Sequence, residues 1–200
     1  MTDDQTRRRF LLATGTLAAT GISAEALAQG LQGQELAPTP ECRDGDEPTV
    51  RQTEGPFFKP RSPLRDDLRE AAGGGDPLEL TGLVLTRRCQ PVAGAVVDLW
   101  HADAKGDYDN NGFRFRGHQV TDAQGRYRFR TIRPAVYQGR TAHYHVKVQG
   151  QGSRLLTTQL YFPNEPANRR DSLFRRELLM KVAKASDGQA ARFDFVLDIR

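Results

Sequence analysis

The sequence predicts an all-β protein, an antiparallel β-sandwich with long loops and one or two short helices. Two observations favour this fold class. Between residues 78 and 199, short stretches alternate apolar and polar residues, and turn-forming sequences separate them. Alternation with a period of two is typical of half-buried strands, and several short strands divided by turns are typical of a sandwich.

Six segments alternate in this way and are predicted to be strands. In chain order they are residues 78–85, 95–100, 126–132, 142–148, 155–162 and 192–199. Residues 121–125 (TDAQG) are predicted to be a hairpin loop. Two other segments have helical spacing: residues 62–72, where Leu64 and Leu68 lie four apart, and residues 171–184, which carry Leu173, Phe174, Leu178, Leu179 and Val182.

The first 28 residues are predicted to be an export signal. Arg8 and Arg9 precede an apolar run from Phe10 to about Ala24, and residues 26–28 (Ala-Leu-Ala) form a small-residue cleavage site. The arginine pair followed by Phe-Leu resembles the twin-arginine signal, which predicts a periplasmic or secreted protein. A membrane anchor is the weaker alternative because the run is shorter than the roughly 20 residues of a span.

The remaining chain divides into a tail and one domain. Residues 29–48 are rich in Gly, Gln, Pro and acidic residues and are predicted to be flexible, and residues 49–200 are predicted to form the sandwich. The net charge is +4, with basic and acidic residues interleaved, so we expect no nucleic-acid partner and no membrane association beyond export. Cys42 and Cys89 either form a disulfide in an oxidising compartment or remain two unrelated thiols.

The histidines contain the first indication of chemistry. His143 and His145 are separated by one residue in a predicted strand, so both imidazoles project from one face and can share a metal. Two exposed or hydrogen-bonded histidines are the alternative. His101 follows Trp100 and is expected to be structural, and His118, in a predicted loop, is a weaker candidate ligand.

Two tyrosines extend this pattern. Tyr108 lies in a loop after the predicted strand 95–100, and Tyr137 precedes His143 by six residues. Phenolate is a hard anionic ligand that favours Fe³⁺ over Zn²⁺ or Cu²⁺, and a bound cation can deprotonate a phenol at neutral pH. The spacing alone does not bring these tyrosines to the histidines, and packing in the core or at its rim is the alternative.

With these residues in place, the chain resembles the intradiol ring-cleavage dioxygenases, which open catechols between their two hydroxyl groups. The resemblance extends from about residue 53 to residue 174. The matching segments, in this order, are TEGPFF at 53–58, PVAGAVVDLW at 91–100, GDY at 106–108, FRG at 115–117, TDAQGRY at 121–127, TIRP at 131–134, Tyr137, GRTAHYH at 139–145 and TQLYF at 158–162.

The resemblance implies a nonhaem ferric iron held by two tyrosines and two histidines, which are Tyr108, Tyr137, His143 and His145. It also implies that the substrate displaces Tyr137, whose oxygen can then accept a substrate proton. Arg140 would stabilise negative charge that develops on the substrate ring, and Gln159 would line the same pocket. The implied reaction uses dioxygen to convert a small aromatic diol into a muconate-type diacid.

Two features depart from the family pattern. Ala135 follows Pro134 where the family usually has Gly, and Ala tolerates positive φ poorly, so the turn could differ. The chain also has no counterpart of the N-terminal helical region with which catechol dioxygenases dimerise. It looks more like the metal-bearing subunit of protocatechuate dioxygenases and like exported single-chain members, so a homo-oligomer or a related second subunit stays open.

The alternative function is a non-catalytic, transthyretin-like β-sandwich binding module. The turn sequences at 91–95 and 121–126 also occur in such modules. A binding module has no need for Tyr108, Tyr137, the two histidines and Arg140 together, and this set favours the enzyme.

Overall fold

A computed structural model describes residues 42–43, 47–69 and 74–200. The predicted export signal and most of the predicted tail lie outside these residues. The strands are β1 (Pro77–Thr86), β2 (Val96–Trp100), β3 (Arg116–Val120), β4 (Arg126–Ile132), β5 (His143–Gln149), β6 (Leu156–Tyr161), β7 (Lys181–Ala185), β8 (Gly188–Arg192) and β9 (Phe195–Leu197). No helix in the described part of the chain is long and apolar enough to cross a membrane.

The strands form two sheets. The four-stranded sheet has the order β3-β2-β5-β6, with every pair antiparallel. The second sheet has the order β4-β1-β8-β7, and β9 pairs with the C-terminal half of β1. The all-β, two-sheet architecture confirms the predicted fold class. The second sheet is mixed rather than antiparallel, because β1 runs parallel to β8 and β9.

One hydrophobic core joins the two sheets. Leu99 and Val146 of the four-stranded sheet and Leu80 and Phe129 of the second sheet belong to the same cluster and are fully buried. Burial of each such side chain contributes about 1.5–3 kcal/mol. Because side chains alternate along a strand, the neighbours of the core residues in β2, β5 and β6 point away from the core, to the outer face of the four-stranded sheet.

Most predicted strands are confirmed. Strands β1, β2, β4, β5 and β6 lie within one or two residues of the predicted bounds. The predicted strand 192–199 is reduced to β9, and β3 was not predicted. His118 therefore lies in a strand and not in a loop.

The prediction of a helix over residues 171–184 is wrong. Two short 3₁₀ turns occur there or nearby, Pro166–Arg169 and Arg176–Leu178, and β7 begins at Lys181. The apolar residues of this segment pack against the sheet, where Leu179 forms a bridge to Tyr161 of β6. Strands β7 and β8 form an antiparallel hairpin with Ser186 and Asp187 as its turn residues. Gly188, with φ +105°, follows the turn.

The helical turns predicted over residues 62–72 are not found in the described part, 62–69. This segment is extended, and its backbone bonds go to strand edges: Arg65 N–H donates to the His118 carbonyl at 3.1 Å, and Leu68 N–H donates to the Arg130 carbonyl at 2.8 Å. Pro63 also disfavours helical geometry in the residue before it. The segment thereby links β3 of one sheet to β4 of the other.

The two cysteines form a disulfide. Cys42 is bonded to Cys89, with their Cα atoms 5.7 Å apart. The bond ties the beginning of the described chain to the end of β1. The sequence left open a disulfide or two unrelated thiols, and the structure has the disulfide.

Candidate active site

A row of polar and aromatic side chains crosses the outer face of the four-stranded sheet. Arg116 of β3 pairs with Trp100 of β2, Trp100 pairs with His145 of β5, and His145 pairs with Gln159 of β6. Directly paired residues on neighbouring strands lie side by side on the same face. Strand register alone therefore places these four side chains next to one another on a rigid support.

Three donor atoms meet above this row. Tyr108 Oη lies 3.1 Å from His145 Nε2 and 3.4 Å from His143 Nε2, and the two Nε2 atoms are 3.0 Å apart. Tyr108 comes from the loop after β2, which is closed by the Asp103 carboxylate accepting the backbone N–H groups of Lys105 and Asp107. The structure thus brings together three of the four ligands implied by the resemblance.

The two histidines are held neutral and oriented. His143 Nδ1–H donates to the Thr141 carbonyl at 2.6 Å, so Nε2 of His143 presents a lone pair to the cluster. The His145 ring stacks on the Trp100 indole, with 5.0 Å between ring centroids. Burial lowers the pKa of His143 to about 4 and that of His145 well below its ordinary value. Neutral imidazole is the form that binds a metal.

This donor set fits a ferric ion better than the common divalent metals. The described residues contain no group of three His, Cys, Asp or Glu side chains that could hold a metal, so a cation here needs the Tyr108 oxygen. Burial raises the pKa of Tyr108 above its ordinary value of 10, and a highly charged cation would compensate the buried phenolate. One phenol oxygen and two neutral imidazoles form a hard and borderline donor set.

Tyr137 lies beside the cluster. Its ring is 5.3 Å from that of Tyr108 and perpendicular to it, and within the described residues no hydrogen bond joins its hydroxyl to the histidines. Tyr137 begins a tight turn to Arg140, in which Gln138 (φ 42°) and Gly139 (φ 79°) both have positive φ, as a type I′ turn requires. Ala135 does not have positive φ, so its own backbone conformation is one that alanine adopts without strain.

Arg140 and Gln159 are in direct contact. Arg140 Nη2 donates to Gln159 Oε1 at 2.7 Å, and Gln159 Nε2 donates to the Thr53 carbonyl at 2.8 Å. Gln159 is fully buried. The contact places both residues in one side-chain network, as the resemblance implies. Asp171, the first residue of the segment predicted to be a helix, accepts two contacts from Arg140 Nε, at 2.9 and 3.0 Å.

Residues 53–59, here called the covering segment, cross the outer face above the row. The Phe57 ring stacks on Tyr108, with 4.4 Å between centroids, and lies perpendicular to the Tyr137 ring. The buried Arg116 guanidinium donates to the Phe57 carbonyl at 2.5 Å and to the Asp109 carbonyl at 2.9 and 3.1 Å. Arg116 therefore joins the covering segment to the loop that carries Tyr108.

The other two histidines, His101 and His118, lie outside the cluster. His101 is structural as predicted: it is buried and bonds the Thr131 hydroxyl and the Ala102 carbonyl. His118 is not brought to the cluster, because its Nδ1 bonds the Ser62 carbonyl at 2.8 Å. Tyr161 of β6 donates a hydrogen bond to Gln159 Oε1.

A β-sandwich with a tyrosine and two neutral histidines on the outer face of one sheet defines a candidate nonhaem metalloenzyme. Comparisons with known proteins make this class specific. A dioxygenase family model matches residues 53–199. The chain is 31% identical to a chlorocatechol 1,2-dioxygenase of Rhodococcus opacus (72% of this chain, 70% of that protein) and 36% identical to the β chain of a protocatechuate 3,4-dioxygenase of Burkholderia cepacia (69% and 72%).

A solved structure agrees with these relatives. It is the dioxygenase domain of a dioxygenase–carbohydrate-binding protein fusion from the cellulolytic bacterium Streptomyces sp. SirexAA-E, with a TM-score of 0.75 and 51% identity over 77% of this chain and 100% of that one. The chain spans 50–72% of the length of the curated relatives that it matches. It belongs to the intradiol ring-cleavage dioxygenase family.

Proposed function

We propose that this protein uses dioxygen and a ferric nonhaem iron to cleave a catechol-type aromatic diol between its hydroxyl groups, giving a muconate-type diacid. The observation that carries this proposal is the meeting of Tyr108 Oη with the Nε2 atoms of His143 and His145 within 3.4 Å. The adjoining contact between Arg140 and Gln159 supports it, because the resemblance implies these residues in the same pocket.

Tyr108, Tyr137, His143 and His145 would hold the iron. When bound, a ferric ion supplies Lewis acidity for the two diol oxygens. Tyr137 is half-buried and adjoins the Tyr108 ring, and as a phenolate its oxygen would accept a proton from the diol. Phe57 stacks on the Tyr108 ring and lies perpendicular to the Tyr137 ring, and in this position it would limit the access of water to that side of the cluster.

Arg140 and Gln159 would act on the substrate ring. The Arg140 guanidinium is fixed at Nε by Asp171 and at Nη2 by Gln159, so its charge is already oriented before the ring becomes anionic. Fixed donors of this kind stabilise developing charge without reorganisation. Gln159 has both ends of its amide bonded and so keeps one orientation.

The test is the product formed from catechol by the iron-loaded protein under ¹⁸O₂. We expect a diacid that retains all ring carbons and gains two labelled oxygen atoms, and we expect Arg140→Ala to keep its iron but to turn over more slowly. An aldehyde acid would contradict intradiol cleavage. A protein that binds no iron and consumes no dioxygen would favour the alternative, a non-catalytic transthyretin-like binding module.

We also propose that the protein is exported through the twin-arginine route to the periplasm or the medium. The Arg8-Arg9 pair before the apolar run supports this, and so does the Cys42–Cys89 disulfide, since disulfides persist in oxidising compartments. Replacing both arginines by lysine should leave the precursor in the cytoplasm. Unchanged export of that variant would point to another route.

A further inference from the structure

Asp171 is a buried carboxylate adjoining the candidate active site, and its acceptor capacity is fully used. Its side chain is 1% exposed, whereas that of Arg140 is 20% exposed. Oδ1 accepts the Leu173 N–H at 2.9 Å and Oδ2 accepts the Thr141 N–H at 3.0 Å, in addition to the contacts of both oxygens with Arg140 Nε. Four donor contacts fix this carboxylate in position.

The carboxylate remains ionised. Burial by itself would raise the pKa of Asp171, but hydrogen bonds from the Leu173 N–H, from Arg140 and from the Thr141 N–H outweigh burial and place the pKa below its usual range. An ion pair that is buried and hydrogen-bonded on several sides holds its partner in a defined geometry. Asp171 thus acts on Arg140 at a fixed distance and with a full charge.

The contacts leave one part of the Arg140 guanidinium available. Nε is bound by Asp171 and Nη2 by Gln159, while Nη1 has no hydrogen-bond partner among the described residues. Because the guanidinium is planar and rigid, fixing Nε and Nη2 also fixes the direction in which Nη1 points. The Gln159 oxygen is held in turn by the Tyr161 hydroxyl at 2.8 Å.

We propose that Asp171 is a positioning residue for the ring-cleavage reaction: it clamps Arg140 at Nε so that the Nη1 edge is presented to the substrate ring. This inference rests on the proposed function. It also assigns a role to the segment between the two 3₁₀ turns, since Asp171 lies between them and reaches Arg140 from 31 residues further along the chain.

The chain offers a matched control in Asp194. This carboxylate is also buried, with a side chain 0% exposed, also accepts a backbone N–H (from Leu83, at 2.8 Å) and also faces an arginine Nε, that of Arg192, at 3.4 Å. It lies between β8 and β9, on the second sheet. Asp171→Asn and Asp194→Asn therefore remove the same kind of buried charge, one beside Arg140 and one remote from it.

Two measurements separate positioning from general stability. Hydrogen exchange of the Arg140 Nε–H, followed by ¹H–¹⁵N NMR and assigned by its loss in Arg140→Lys, should be slow in the wild type and in Asp194→Asn and fast in Asp171→Asn. Turnover per bound iron should fall about 10- to 100-fold in Asp171→Asn, as expected when a substrate-positioning group is displaced by about 1 Å. KM for catechol should change little, and Asp171→Glu should recover part of kcat.

The outcomes are distinct. Slow Nε–H exchange in Asp171→Asn, or an Asp171→Asn kcat equal to that of Asp194→Asn, would overturn the inference while leaving the ring-cleavage proposal intact. A wild-type protein that cleaves no catechol would overturn the proposed function. The exchange rates would still report whether Asp171 holds Arg140, so the two failures cannot be confused.

Discussion

Among the single residues, His143 and His145 define the candidate site, because their buried ring nitrogens have few hydrogen-bond partners. The Nδ1 proton of His143 is used by the Thr141 carbonyl, and His145 Nδ1 is buried without a hydrogen-bond partner among the described residues. Tyr108 therefore faces two neutral rings whose Nε2 atoms point into one small space. Such an arrangement favours a cation over a proton, because burial opposes protonation of either ring.

Buried histidines predict a pH dependence of stability in the metal-free protein. Burial lowers the pKa of His101 from 6.5 to about 4. Between these two pH values the unfolded state binds more protons than the folded state, so the free energy of unfolding rises with pH across that window and falls on acidification. His101 alone contributes up to about 1.4 kcal/mol per pH unit.

Urea unfolding at a series of pH values tests this prediction. His101→Gln should have a flatter dependence of the unfolding free energy on pH between about 4 and 6.5 than the wild type. Its stability at neutral pH should also be lower, because two hydrogen bonds are altered. Parallel pH profiles for the two proteins would contradict the lowered pKa of His101.

Residues of the site differ in how far the sequence predicts them. The shared face of His143 and His145 follows from the period of a strand, and the structure has it. The approach of Tyr108 depends on a loop folding back over the sheet, which only the resemblance could indicate. Asp171 had no local signal, because its role consists of contacts with Arg140 and Thr141, which are distant in sequence.

Among the structural elements, the covering segment approaches the four-stranded sheet closely at one glycine. Gly55 has φ +71°, and a Cβ added there would lie 3.1 Å from His145 Cε1, tighter than ordinary contact. The Gln159 amide bonds the Thr53 carbonyl, and Phe57 stacks on Tyr108. A side chain at position 55 would therefore press on His145 directly.

Gly55→Ala and Gly152→Ala form a matched pair. Gly152 has a similar φ of +76°, but a Cβ there meets nothing within 4 Å. Both variants should lose about 1–2 kcal/mol of stability from the left-handed backbone alone. Only Gly55→Ala should also weaken iron binding, measured by competition with a chelator. Equal iron affinity in both variants would show that the covering segment can shift without moving His145.

The sequence predicts a strand where apolar and polar residues clearly alternate. It does not predict an extended segment whose backbone bonds go to strands distant in sequence. Strand β4 alternates between outward and buried residues from Arg126 to Thr131, and its predicted bounds match the observed ones. In β7 and β8, Ala183, Ala185 and Ala190 have a low preference for strands. Pairing of β8 with β1 and of β7 with β8 overrides that preference. Residues 62–69 are extended because β3 and β4 offer edges to bond, which no local pattern shows.

At the scale of the whole molecule, the N-terminal end of the described chain is fixed to the sandwich at two points. The Cys42–Cys89 disulfide joins it to the end of β1. Thr49 bonds β9 through its N–H to the Val196 carbonyl at 2.9 Å, and its hydroxyl accepts the Val196 N–H at 2.8 Å. The covering segment begins four residues after Thr49, so these contacts also locate its start.

Removing the disulfide should destabilise the domain without dismantling the site. The two cysteines are 47 residues apart, and the chain-entropy relation then gives a stabilisation of about 4 kcal/mol. In a denaturant titration, the free energy of unfolding of the double variant Cys42→Ser/Cys89→Ser should be lower than that of the wild type by that amount. The variant should still bind iron in dilute buffer. A double variant as stable as the oxidised wild type would contradict this contribution.

In the proposed enzyme, Tyr108, Tyr137 and the two histidines would together form one iron site. The most direct test is the visible spectrum and iron content of the ferric-loaded protein, before and after anaerobic catechol. We predict one iron per chain and a tyrosinate-to-iron absorption band that shifts with catechol. We also predict that Tyr108→Phe loses iron. Tyr144→Phe, the control, should keep it, because the Tyr144 hydroxyl donates to the Ile132 carbonyl in the core. A wild-type protein that stays colourless after ferric loading would show that these four residues do not form an iron site.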